Sequence, residues 1–316
     1  MLNEMPRKIA LMFAGQGAQV IGMGKDLVNQ LPTATELFRK ADHILGRRLT
    51  EIMWNGPIDE LTKTSNCQPA LFVHGLACFA MLRELAGNFP IGGAAGLSLG
   101  EMTAHAAADT FDFENGLRLV QKRGNFMDEA CAETIGAMAA MIGADENAVR
   151  QLADDEDVDV ANINSPGQIV ISGELAKVEA AVAVAKEHGI RRATMLNVAG
   201  AYHSRLMQSA YQKLGAALAH VPIQPPRFPV ISNVTGMEVK TSTEIRRTLQ
   251  DQVTSTVRWV DCMERLAALG CDLFVELGPG GVLAGLLRRM RKDVDVISVS
   301  DVESVHICAG RIHASI

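Results

Sequence analysis

Aromatic side chains are scarce in this 316-residue chain: ten Phe, two Tyr and two Trp make up 4% of it. Its core must therefore be assembled mostly from Ala, Val, Leu, Ile and the 15 Met. Positive charge is also short, with 30 Lys and Arg against 36 Asp and Glu, and a net −6 argues against nucleic acid as the main partner. No stretch reaches the roughly 18 uninterrupted apolar residues of a membrane span, and the N-terminus lacks a long apolar h-region with a cleavage site. The six Cys include no C-x-x-C pair and mostly lie in apolar runs, so they read as reduced core thiols rather than a disulfide frame or zinc site. A soluble, cytoplasmic protein with no membrane partner is expected. With 48% hydrophobic and 21% charged residues the composition is globular, and the length suits one large domain or two smaller ones.

Along the chain, KIALMF (8–13) is an apolar run entering the glycine turn AGQGAQ, which reads as a buried strand. Helical patterns follow at 33–46, 68–86, 99–108 and 113–131. From about 135 to 201 the pattern changes. IGAMAAMIG, DVDVANI, QIVISG and RRATMLNV read as strands, with ENAVRQLA and LAKVEAAVAVAKEHG as helices and NSPG as a turn. That βαββαβ order is the ferredoxin-like split unit. A helix at 203–220, strand FPVISNV, a helix at 257–269, strand CDLFVEL and a helix running to about Lys292 return to the larger body. The expected fold is α/β: a hydrolase-like domain with a mainly parallel sheet (1–132 and 203–316), interrupted by a ferredoxin-like α+β subdomain (133–202).

The chemistry begins at AAGLSLGEMTA (94–104), where G-x-S-x-G stands between small residues and a helix-compatible run. The spacing suits a strand-to-helix turn so sharp that flanking side chains would collide, with Ser98 at its apex. A tight turn packed on a helix would use the same residues. A serine nucleophile needs a base. His105 lies two turns up the same helix, about 10 Å along the axis and too far for contact. His203, where the chain re-enters the large domain, is the better candidate, although it could equally cap a helix or sit satisfied in a core. The Leu99 amide at the helix start and the Gln16 amide in the AGQGAQ turn could supply oxyanion donors. G-Q-G is neither a P-loop nor a G-x-G-x-x-G, so nucleotide binding is rejected there. Arg123 falls on or beside the inward stripe Leu117, Val120, Gly124, Met127. A buried guanidinium needs an anion, either one of the chain's own carboxylates or that of a substrate.

In order along the chain, AGQGAQ with GMG (22–24), GLSLGE (96–101), KRGNFM (122–127), ANINSPGQIVISG (161–173), AYHSRLM (201–207), SNVTG (232–236), QVTSTVRW (252–259) and FVELGPGGVL (274–283) resemble the malonyl-CoA:acyl carrier protein transacylase family. The resemblance implies that Ser98 takes the malonyl group as an ester and that His203 is the base. It also implies that the main-chain carbonyl of Gln252 orients the imidazole, that Gln16 and Leu99 form the oxyanion hole, and that Arg123 pairs with the malonyl carboxylate. It implies malonyl-CoA and acyl carrier protein as partners and calls for no cofactor; a monomer is expected. Asn162 and Asn164 match a family segment near the site, without a catalytic role. GAYH is nearer the malonyl than the methylmalonyl pattern.

Departures from the family pattern are Leu97 for His, Ala14 and Ala18 for Pro and Ser, Ala199 for Ser, Met102 for Tyr, His105 for an apolar residue and Thr256 for Pro. None removes a group with a direct chemical role, while Leu97 and His105 bear on pocket polarity. Rival readings are a serine thioesterase or hydrolase, which would want a carboxylate behind His203, a non-catalytic acyl carrier scaffold, and a malonyl transferase of a polyketide or malonate decarboxylase system. An acidic carrier would need a basic patch here. Arg288, Arg289, Arg291 and Lys292, or Arg191 and Arg192, are candidates, with solvated helix ends the plainer reading.

Overall fold

The computed structural model describes residues 7–315. Residues 1–6 and 316, assigned above to the large domain, lie outside the described residues. Ten strands, β1 Lys8–Phe13, β2 Ile91–Gly96, β3 Gly136–Ile142, β4 Asp159–Ser165, β5 Gln168–Glu174, β6 Arg192–Met195, β7 Val230–Ile231, β8 Glu238–Val239, β9 Cys271–Leu277 and β10 Asp295–Val299, build two sheets. The first has the order β10-β9-β1-β2-β7-β8 and is parallel except for the final β7–β8 pair. Its central strand β1 is buried from Ile9 to Phe13, as a strand covered on both faces must be. Its neighbour β2, IGGAAG, carries almost no side chains, because the helix Trp259–Ala268 lies against it: a Cβ on Gly93 would stand 2.7 Å from the Leu266 side chain.

The helix Thr64–Ala86 runs through the main apolar core. By length and composition it could cross a membrane, with a mean hydropathy of 1.3 over its most apolar window, but 72% of that window is buried inside the protein. Its interruptions by Asn66, Gln68 and His74 are why no unbroken apolar run shows in the sequence.

The second sheet is antiparallel with the order β4-β5-β3-β6, the arrangement of a ferredoxin-like unit, and the helices Glu146–Asp155 and Leu175–Val184 cover it around a separate apolar core. The second helix is shorter than its pattern predicts. The Ile190 amide turns back to Ala185 O and the Ile190 side chain is buried, which swings the chain into β6. FPVISNV is likewise strand only at Val230–Ile231, because the Ser232 amide turns to Met237 O and Asn233 leaves the sheet to serve the site described below. Met138, Ala161 and Val170 of the small sheet pack into the main core, and the two units are also joined along a backbone seam. The Val257 amide donates to Ala161 O, the Ile163 amide donates to Val257 O, and the Thr256 hydroxyl donates to Val160 O. This seam follows directly on Gln252 and brings the polar edge of β4 over the C-terminal ends of the parallel strands, where open α/β sheets bind ligands.

Candidate active site

Ser98 caps the helix Leu99–Ala107 at φ 53°, ψ −105°, a conformation unfavourable for any side chain. The two flanking glycines make it possible: a Cβ on Gly96 would overlap the Gly100 carbonyl carbon, and a Cβ on Gly100 would overlap Phe13 O. The turn after β1 is pressed against the same backbone, since a Cβ on Gly15 would overlap Leu97 O. His203 is also left-handed, at φ 57°. Strain of this kind persists only where the surroundings over-determine it, and it clusters at functional sites.

His203 Nε2 stands 2.8 Å from Ser98 Oγ, and His203 Nδ1 stands 2.8 Å from Gln252 O. A carbonyl can only accept, so Nδ1 carries the hydrogen and Nε2 is left as the acceptor that a general base must be. Burial pushes the His203 pKa down to about 4, the Arg123 cation adds to this, and the Gln252 carbonyl opposes it. The imidazole is therefore neutral at neutral pH.

Arg123 is buried on the helix Phe113–Glu133. Its Nη1 donates to Gln68 Oε1 at 2.7 Å, and its Nη2 donates to Gln252 Oε1 at 2.9 Å and to Ser98 Oγ at 3.1 Å. No ion pair joins it to a carboxylate among the described residues, and burial lowers its pKa to about 10. The alternative of a structural ion pair to one of the chain's own acids is thereby removed. Arg123 is thus a buried cation held by two side-chain amides and a serine hydroxyl, a donor set of the kind that suits a small anion.

Sequence reasoning missed two residues that hold this geometry, Glu101 and Asn233. Asn233 Oδ1 accepts from the Ser98 amide at 2.8 Å, and Asn233 Nδ2 donates to Gly96 O at 2.9 Å, so one side chain brackets the elbow. Glu101 Oε2 accepts from the Asn233 amide at 2.9 Å and from Gln252 Nε2 at 2.7 Å. Burial raises its pKa to about 7. Both residues stand inside the quoted motifs, GLSLGE and SNVTG. The available signal was an acid directly after the second elbow glycine, although an acid in a first helical turn ordinarily reads as a partner of the helix dipole.

Because the Ser98 amide is engaged by Asn233, the Leu99 amide is the one at the elbow left without an acceptor by helix geometry. A cavity of about 490 Å³ opens over Ser98 and His203. Gln16, Gln68, Leu97 and Tyr202 line it from the parallel-sheet side, and Met138, Asn162, Asn164 and Val170 from the small sheet. Leu97 thus does meet the pocket. His105 does not line it: it is buried with Nδ1 3.1 Å from the Thr110 hydroxyl and its ring against Phe111, and burial lowers its pKa to about 3. Of the candidate basic patch, Arg291 is paired with Glu264 and Asp293, and Arg289 donates to Gln168 Oε1. All six cysteines are free thiols, five of them buried.

Residues 11–313 match the family model described as an acyl transferase domain. The chain is 42% identical over 307 residues to a malonyl CoA-acyl carrier protein transacylase of Bacillus subtilis (strain 168), covering 95% of this chain and 96% of that protein. It is 40% identical over 302 residues to the transacylase of the same name from Haemophilus influenzae, with 94% and 97% covered. Among solved structures, an acyl-carrier-protein-S-malonyltransferase from Bartonella henselae superposes with a TM-score of 0.93 at 39% identity over 97% of this chain and 99% of that one. A malonyl-transacylase solved in complex with its type II PKS acyl-carrier protein superposes with a TM-score of 0.91 at 36% identity over 96% and 99%.

Proposed function

The chain belongs to the acyl transferase domain family, and we infer that it moves a malonyl group from malonyl-CoA to the phosphopantetheine thiol of acyl carrier protein in fatty acid biosynthesis. The observation that carries this reading is one continuous line of contacts: Arg123 Nη2 to Ser98 Oγ, Ser98 Oγ to His203 Nε2, and His203 Nδ1 to Gln252 O.

In the proposed sequence His203 Nε2 takes the Ser98 proton as Oγ bonds to the thioester carbonyl carbon. The oxyanion that forms points to the amides of Leu99 and Gln16. Collapse breaks the C–S bond, the imidazolium returns its proton to the leaving sulfur, and the acyl group remains as a serine ester. Arg123 takes the free carboxylate through its planar fork, which favours malonyl over uncharged acyl groups. The carrier thiol then gives its proton to His203 and attacks the ester, and the same steps run in reverse. We further propose that the protein acts in the cytoplasm as a monomer, which fractionation and light scattering check.

The hydrolase alternative wanted a carboxylate behind His203, and a carbonyl stands there instead. A transferase serving a polyketide carrier remains a second reading, favoured by the likeness to the PKS transacylase complex. Ser98→Ala should abolish the malonyl-protein adduct seen with radiolabelled malonyl-CoA; an undiminished adduct would remove Ser98 from the role. Arg123→Ala should lower malonyl loading about 100-fold or more while sparing acetyl loading, and equal losses for the two would refute the carboxylate grip. Assaying fatty-acid and polyketide carriers side by side separates the two pathways.

A further inference from the structure

Arg123 and His203 are held by opposite ends of one residue. The Gln252 main-chain carbonyl accepts from His203, and the Gln252 side chain, wholly buried, reaches Arg123. An amide serves this purpose in only one of its two orientations. Gln252 Oε1 must face the Arg123 donor, and Nε2 must face Ser98 O at 3.0 Å, Asn233 Oδ1 at 3.1 Å and Glu101 Oε2 at 2.7 Å, all acceptors. Turned the other way, it would place NH₂ against a cation and a carbonyl oxygen against three oxygens.

We propose that Glu101 is a positioning residue for acyl selection: its Oε2 fixes the Gln252 amide so that Arg123 is held at Ser98 without a carboxylate occupying its fork. Three observations carry this. Glu101 Oε2 makes the shortest of the Gln252 Nε2 contacts, at 2.7 Å. The same oxygen holds the Asn233 amide, and so the second acceptor facing Nε2. Glu101 and Arg123 bond to opposite ends of the same Gln252 amide, so the carboxyl group meets the guanidinium across that amide rather than by contact. A direct Arg–Glu pair would satisfy the guanidinium and close it to a substrate carboxylate. One intervening amide holds the guanidinium and leaves it receptive.

The inference rests on the reading of Arg123 as the carboxylate site, and its test separates the two. The readout is the ratio of malonyl to acetyl loading from the two CoA thioesters, which a loss of folded protein leaves unchanged because it scales both rates. Glu101→Gln keeps an acceptor oxygen in place without the charge, and its second group can stand where Glu101 Oε1 is buried with no partner. Glu101→Asp keeps the charge but withdraws the oxygen by one methylene. The expected result is a ratio within about threefold of the parent for Glu101→Gln and lowered about tenfold or more for Glu101→Asp, since small misplacements of a binding group are costly. A parental ratio in Glu101→Asp, or a fall in Glu101→Gln as deep as in Glu101→Asp, would overturn it. Arg123→Ala is the control: if that change leaves the ratio untouched, it is the carboxylate reading that fails.

Discussion

The elbow on the parallel sheet and the small antiparallel sheet face the same cavity but are built on opposite principles. At the elbow, backbone from β1, β2 and the helix Leu99–Ala107 is packed so closely that glycine is obligatory, and a buried polar network supports a left-handed serine. The small sheet has its own apolar core, pairs β3 with β5 and β6 in regular antiparallel register, and ties its outer face with exposed ion pairs such as Lys177 to Asp157 and Glu174. Rigid over-determination is found where the Ser98 hydroxyl is held, whereas the part that walls the pocket is held by ordinary sheet pairing and packing.

The sharpest way to break this contrast is a matched pair of glycine substitutions. Gly96→Ala drives a methyl into the Gly100 backbone and should destabilise the protein by about 3 kcal/mol or more, or abolish folding, with malonyl loading lost. Gly173→Ala on β5 meets the Val158 side chain at 3.0 Å, which can yield, and should cost about 1 kcal/mol or less with loading intact. Urea denaturation of both, with loading assays, checks the pair, and similar costs would erase the distinction.

The next effect is on pH. Because burial holds the folded His203 pKa near 4, below the ordinary imidazole value of 6.5, kcat/KM for malonyl-CoA should hold down to about pH 5 and then fall about tenfold per unit below pH 4. The same depressed pKa means that its contribution to stability is present above pH 6.5 and is lost as pH falls towards 4. An acid limb centred near 6.5 would mean that the imidazole is solvated during the reaction.

The smallest effect belongs to the outer face of the small sheet. Lys177→Ala should change stability by less than about 0.5 kcal/mol and loading not measurably, because exposed pairs contribute little. A larger loss would show that the small sheet is more tightly constrained than its exposed pairs imply.

Much of this was legible along the chain, for local reasons. The G-x-S-x-G spacing announces a turn that only glycine permits, and the alternation of strand and helix patterns announces a parallel sheet with an inserted βαββαβ unit. An inward arginine on an amphipathic helix announces a buried cation. Ser98, His203, Arg123 and Gln252 are indeed brought to one place. What the pattern could not disclose is which polar groups would be shared. Glu101 looks like a helix-start acid, Asn233 like the end of a strand, and the Gln252 side chain like an ordinary polar residue. Their partners lie 151 and 132 residues away from Glu101, at Gln252 and Asn233. The seven-residue spacing of His105 from Ser98 rightly places it too far along the helix to be the base, but the expectation that it bears on pocket polarity does not hold, since spacing says nothing of which neighbours bury it.

The sequence by itself determined many of the elements, the strained turn and the chemical types of the groups gathered at the site, because these depend on sterics and periodicity within a few residues. Tertiary structure decided the tautomer of His203, the orientation of the Gln252 amide and the amide and hydroxyl partners of Arg123. Each of these is set by hydrogen bonds to distant segments among side chains that are buried from solvent, where an unpaired polar group is costly.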